Sequence, residues 1–129
     1  MRYVLDTHAL LWYLGGDKRL GPNAKGILDD PNALLIVPAL VLAEAKHAAD
    51  RKRVSIPFER VLQAVVSAAR ITIFPLDLYI INYLSIQLDI HDSIMVATAL
   101  HCQEFFGDDV PILTNDLAIT QAHLVSVIW

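Results

Sequence analysis

A single cysteine, Cys102, is all that this 129-residue chain carries. No internal disulfide can form, and a reducing, cytoplasmic setting is expected. Cys102 follows His101 in an apolar helical stretch, which is not zinc-ligand spacing, so a small core residue is the expected role. Apolar runs are short as well. The longest, residues 33–43, is broken by Pro38 and is far too short to span a bilayer. No charged-then-apolar leader opens the sequence, because Asp6 arrives too early for one; no membrane role is expected. Repeats, low-complexity tracts and linkers are absent, so residues 1–129 read as one domain, long enough to bury a core without staples. An excess of positive charge is missing too. Ten Lys and Arg against 14 Asp and Glu leave a net charge of −4, whereas nucleic-acid binders usually present a basic face.

What is present is apolar content: 55% of residues are hydrophobic and the mean hydropathy is +0.46. With no membrane segment to absorb it, this excess suggests apolar surface covered by another protein chain. The basic residues are also unevenly placed. Lys46, His47, Arg51, Lys52 and Arg53 fall within eight positions. They form either a solvated helix end, where the helix dipole favours cations, or a ridge that meets phosphates.

Short β-type runs alternate with helical periodicity. Strands are expected at Arg2–Leu5, Leu34–Val37, Ile71–Phe74, Pro111–Thr114 and Leu124–Ile128, from their apolar, β-branched and aromatic residues. Helices are expected at Ala9–Leu14, stopped by Gly15-Gly16, at Asn23–Leu28, from Pro38 to about Lys52, and at Phe58–Ala69. Leu78–Leu88, Ser93–Cys102 and Asn115–Gln121 complete the set. This alternation predicts an α/β fold, a single α/β/α sandwich around a mostly parallel sheet. In such sheets functional groups collect at the carboxyl ends of strands.

Four acids sit in apolar company. Asp6 lies between Tyr3-Val4-Leu5 and Ala9-Leu10-Leu11-Trp12, where a carboxylate caps a helix or serves a site. Glu44 shares a helical face with Leu40, Val41, His47 and Ala48, and no Lys or Arg stands three or four residues away. It must therefore find a distant partner, a metal or water. Asp92 opens a helix whose same-face residues, Met95, Val96 and Ala99, point inward. Asp116 follows the Ile112–Asn115 run at a strand-to-helix turn. Each is explicable alone as a local cap or loop acid, apart from Glu44; together they suggest one carboxylate cluster. Clustered carboxylates repel unless a cation neutralises them. Oxygen-only ligands select hard ions such as Mg²⁺ or Mn²⁺, whose natural chemistry on phosphates is phosphodiester hydrolysis. A bound metal would also supply the positive potential that the composition lacks.

The run Val4-Leu5-Asp6-Thr7-His8-Ala9-Leu10-Leu11-Trp12 resembles the first motif of PIN domains, especially VapC toxins of bacterial and archaeal toxin–antitoxin pairs. Val37-Pro38-Ala39-Leu40-Val41-Leu42-Ala43-Glu44 is similar to the second motif, Asp89-Ile90-His91-Asp92-Ser93-Ile94-Met95-Val96-Ala97 to the third, and Leu113-Thr114-Asn115-Asp116 to the fourth. Val125–Trp129 resembles a common last strand of these toxins. The resemblance implies that Asp6, Glu44, Asp92 and Asp116 hold one or two Mg²⁺ or Mn²⁺ ions, with Thr114 and Asn115 in support and Asp89 as an accessory ligand or a plain loop acid. Where relatives often have Pro and Phe before the third-motif acid, this chain has Ile90 and His91. The implied activity is that of a metal-dependent endoribonuclease, with Lys46, Arg51, Lys52 and Arg53 as RNA contacts. Implied partners are RNA, a cognate antitoxin and a second copy of the chain. The alternatives are an RNA-processing or DNA-flap nuclease of the same family, or an interaction module that kept the acids as caps. A phosphatase using Asp6 as nucleophile would place a second Asp where His8 stands.

Overall fold

Val4 and Leu5, at the end of strand β1 (Arg2–Leu5), have no more than 1% of their surface exposed. Such burial is what a strand flanked on both sides and covered on both faces requires. The computed structural model describes residues 1–129. After β1 come α1 (Thr7–Gly15), α2 (Pro22–Asp29), β2 (Leu34–Pro38), α3 (Ala39–Asp50), α4 (Phe58–Ser67), β3 (Ile71–Phe74), α5 (Leu78–Ile81), α6 (Ile90–Phe106), β4 (Ile112–Leu113), α7 (Leu117–Ala122) and β5 (Val127–Ile128). The five strands form one sheet in the order β3-β2-β1-β4-β5, every pair parallel, with Val4 aligned to Ile36 on one side and to Ile112 on the other. The expected α/β sandwich is the fold observed, and its sheet is wholly rather than mostly parallel.

Chain direction places the helices. Connections from β1 through β2 to β3 step one way across the sheet, and those from β3 through β4 to β5 step back. Right-handed crossovers put the two groups of helices on opposite faces. Helix contacts follow the division: α1 packs on α2 and α3, and α3 on α4, while α6 packs on α5 and α7. β1 and β4 are therefore neighbours whose following helices leave toward opposite faces. A parallel sheet opens a crevice beyond the carboxyl ends of its strands at such a point. Asp6 immediately follows β1, and Asp116 stands three residues beyond β4.

Four elements differ most from the sequence expectation. The helix expected over Leu78–Leu88 is a single turn, Leu78–Ile81, capped by the Asp77 carboxylate. Beyond it the N–H groups of Tyr83 and Leu84 turn back to the carbonyls of Ile80 and Ile81, and the Ser85 N–H bonds to Ser93 Oγ at 2.7 Å. The apolar spacing there did not mark a buried face: only Ile80 is buried, while Leu78 and Tyr79 are 77% and 69% exposed. The next helix is longer than expected at both ends. It starts at Ile90 with Asp89 as N-cap residue and ends at Gly107, whose φ of +78° suits a residue without a Cβ. Asp92 accordingly stands inside the first turn rather than opening the helix. β4 and β5 each shrink to two residues, because the paired stretch at that edge is short.

Arg70, just ahead of β3, ties that strand to the far end of α2. Its guanidinium donates to the carbonyl oxygens of Leu28 at 2.6 Å and Asp30 at 2.7 Å, acceptors that the end of a helix leaves unpaired. Arg70→Ala is expected to lower unfolding stability by about 1–3 kcal/mol, read as a lower urea midpoint at unchanged slope. Arg70→Lys should recover only part of the loss, because a flexible ammonium lacks the rigid planar fork whose two nitrogens meet the two carbonyls.

Candidate functional site

Extended backbone at Asp6 (φ −81°, ψ 172°) ends β1 and starts α1, and Asp6 Oδ1 accepts the Ala9 N–H at 2.7 Å. Asp116 repeats the arrangement at α7, accepting the Ile119 N–H at 3.0 Å. Both acids are therefore helix caps, as local sequence allowed, and both also line a cleft of about 660 Å³. Between them lies Thr114, wholly buried beyond β4. Its hydroxyl oxygen accepts the Asp116 N–H at 3.0 Å, and it stands close enough to Asp6 to favour the ionised carboxylate there.

Glu44 reaches the same cleft from α3 and Asp92 from the first turn of α6. Glu44 lacks a cation on its own helix and finds partners elsewhere. Thr7 Oγ1 donates to one of its oxygens at 3.1 Å, and His91 Nδ1 stands 3.6 Å from the other. Asp92 feels the whole cluster. Burial is the main cause that raises its pKa, followed by the charges of Asp116, Asp89 and Glu44, with His91 acting the other way. Asp6 is also raised, chiefly by burial and in part by Asp116, against the Thr114 and Ala9 hydrogen bonds. Four carboxylates from separate parts of the chain thus meet in one cleft and repel.

No three of the chain's His, Cys, Asp and Glu side chains stand close enough to enclose one ion by themselves. In donor chemistry an all-carboxylate set still suits a hard divalent cation. Mg²⁺ commonly meets a protein through one or two carboxylates and keeps several waters.

Of the other residues singled out in the sequence, Arg53 lines the cleft and Lys46, Arg51, Lys52, Asp89 and Asn115 do not. Lys46 pairs with Asp50 at 2.9 Å, Arg51 ends α3, and Lys52 takes a left-handed φ of +56°. Asp89 is the N-cap residue of α6 without a side-chain capping bond, and Asn115 is exposed. The structure adds Thr7, Trp12, Arg19 and His47 to the cleft wall. His47 stands three residues after Glu44, a spacing that could have revealed it. Nothing in the sequence around Arg19 announces its place; the turn beyond α1 carries it there.

The raised acids make a stability prediction. A carboxyl group whose pKa is higher in the folded chain contributes stability that is complete below its unfolded value, near 3.9, and is lost as pH rises through the folded value. Asp92→Asn removes that loss. It is expected to raise the thermal midpoint at pH 7 by roughly 2 °C, a gain that shrinks to nothing below about pH 4. A gain independent of pH in calorimetric scans would show that carboxylate repulsion is not its source.

No curated protein matches this sequence. Among solved structures, a chain in the crystal structure of VapBC2 from Rickettsia felis bound to a DNA fragment from their promoter aligns over 99% of this chain and 98% of its own, with a TM-score of 0.68. The two are 12% identical, so the likeness is one of fold. The PIN domain family model matches residues 3–116. That match runs from the first strand to the fourth acid, and this chain belongs to the PIN domain family.

Proposed function

We propose that the cleft is the active site of a metal-dependent endoribonuclease, the toxin of a toxin–antitoxin pair. The observation that carries this reading is the convergence of Asp6, Glu44, Asp92 and Asp116 in one cleft beyond the carboxyl ends of a parallel sheet. Membership of the PIN domain family supports a nuclease, and the VapBC2 match supports pairing with an antitoxin.

In this reading the four acids hold one or two Mg²⁺ or Mn²⁺ ions, with Asp89 as an accessory acid behind Asp92. The bound cation supplies charge that stabilises the phosphodiester transition state and lowers the pKa of the attacking water. The remaining work belongs to the chain. The caps on α1 and α7 restrict Asp6 and Asp116, and Thr114 accepts the Asp116 N–H. Thr7 orients Glu44. Arg53 and His47, on the cleft wall, offset the negative charge of an RNA backbone. Exposed apolar side chains such as Leu78, Tyr79, Ile86 and Phe105 offer surface for a second copy of the chain and for the antitoxin. No helix is long and apolar enough to cross a membrane, which agrees with a cytoplasmic site of action.

Asp6→Asn and Asp116→Asn keep a side-chain oxygen for the helix cap, since Asn caps as well as Asp. Each is expected to keep its fold and to lose at least about a hundredfold in metal-dependent RNA cleavage, given that even an outer-sphere partner of a ligand is worth 10–100-fold. Cleavage of a mixed RNA pool in Mn²⁺ or Mg²⁺, beside EDTA, is the measurement; a folded, fully active Asp6→Asn protein would sink the proposed site. Millimolar Mg²⁺ or Mn²⁺ is expected to raise the thermal midpoint of the unmodified chain and EDTA to reverse the gain. An unchanged midpoint in both metals would count against a preformed site.

A further inference from the structure

The wall of the cleft formed by Trp12 and Arg19 is built differently from its other basic residues. Arg53 lies there with no carboxylate in ion-pair range, so its charge is available to a phosphate. Arg19 is already neutralised. Its Nε donates to Asp17 Oδ1 at 3.1 Å and a terminal nitrogen to Asp17 Oδ2 at 2.8 Å, and its backbone N–H donates to the same carboxylate at 2.9 Å. The guanidinium lies over the Trp12 indole, 4.5 Å from the ring centroid. Trp12 is itself pinned, with the His8 ring 4.9 Å away and the edge of Trp129 at 5.8 Å. Arg19 nonetheless keeps 68% of its side chain exposed. One edge of the guanidinium is spent on Asp17 and one face on Trp12, which leaves an open, immobilised plane at the border of the carboxylate cleft.

A fixed plane with its charge cancelled is poorly suited to hold a phosphate and well suited to stack. Single-stranded RNA is commonly held by bases stacked on aromatic rings or on arginine planes. We propose that Arg19, seated on Trp12 and locked by Asp17, is a platform on which one unpaired nucleobase of the substrate stacks, so that the neighbouring phosphodiester is presented to the acids. The inference rests on the nuclease reading above and adds a base-binding subsite to it. Arg19 acts on the substrate's position and takes no part in bond making.

The test is binding of a short single-stranded RNA, and of an abasic oligomer of the same length, in Mg²⁺. The Asp6→Asn background keeps the RNA intact, and fluorescence anisotropy provides the readout. Because Arg19 and its ion pair lie on the surface, Arg19→Ala and Arg19→Lys are expected to keep the parent's melting midpoint. Both should weaken binding of the ordinary RNA by roughly fivefold or more, the low end of what one stacked base is worth. In Arg19→Lys, which keeps a positive charge beside Asp17, binding of the abasic oligomer and the dependence of affinity on salt should not change. Lysine failing to substitute for arginine is the signature of a plane rather than a charge. Parent-like affinity for the ordinary RNA in Arg19→Lys, or an equal loss of abasic binding in that variant, would overturn the platform in favour of a phosphate contact. If the Asp6→Asn parent binds neither oligomer, the RNA reading of the cleft fails and the platform with it.

Discussion

Parallel pairing of β1 with β4 is the constraint on which the cleft depends. Val4 and Leu5 align with Ile112 and Leu113, so the two strands end level, and the chain leaves them toward opposite faces of the sheet. Asp6 and Asp116 are carried past that edge and held there by the helices they start. The core enforces the register, because Val4, Leu5, Ile112 and Leu113 are essentially excluded from water. A one-residue slip would turn those side chains to the wrong face and uncouple the two acids.

Having fixed the acids in place, the fold pushes their charges together. Asp6 and Asp92 resist ionisation through burial first and through neighbouring carboxylates second. Local hydrogen bonds offset part of this cost: the caps on α1 and α7 and the Thr7 contact to Glu44. These bonds also restrict the side chains, and a site preorganised before substrate arrives gains most from a cation. In the proposed reading, stability given up in the cleft would be recovered when a cation binds, an exchange common where function requires strained or repelling groups.

The deficit of positive charge in the whole chain loses its force once charges are located. Basic side chains on the cleft wall come from several segments: His8 on α1, Arg19 beyond it, His47 on α3, Arg53 just after it and His91 on α6. They differ in use. Arg19 is paired with Asp17, whereas Arg53 has no such partner. Net charge describes a surface average, and local potential in a cleft is set by the few unpaired groups that face it.

Much of this was legible along the chain. The strand positions followed from apolar, β-branched runs, and alternation with helices implied the parallel sandwich, because a parallel pair needs a crossover between its strands. Glu44 stood out because a carboxylate on an apolar face requires a partner, whereas Asp6, Asp92 and Asp116, each explicable as a cap, stood out only as a set. Elsewhere local pattern misled. Leu78–Leu88 has helical spacing but, apart from Ile80, little of a core to pack against, and helical stability comes mainly from packing an apolar face. The basic run 46–53 looked like one ridge, yet only His47 and Arg53 reach the cleft, since residues on one helix diverge around its axis and α3 ends at Asp50. By itself, then, the sequence determined the elements, the sheet type and the four acids, all properties of near neighbours. Tertiary structure alone decided that the acids share a cleft, that Thr114 stands between two of them and that Arg19 lines that cleft over Trp12, because those contacts join segments that only the ordering of the sheet brings together.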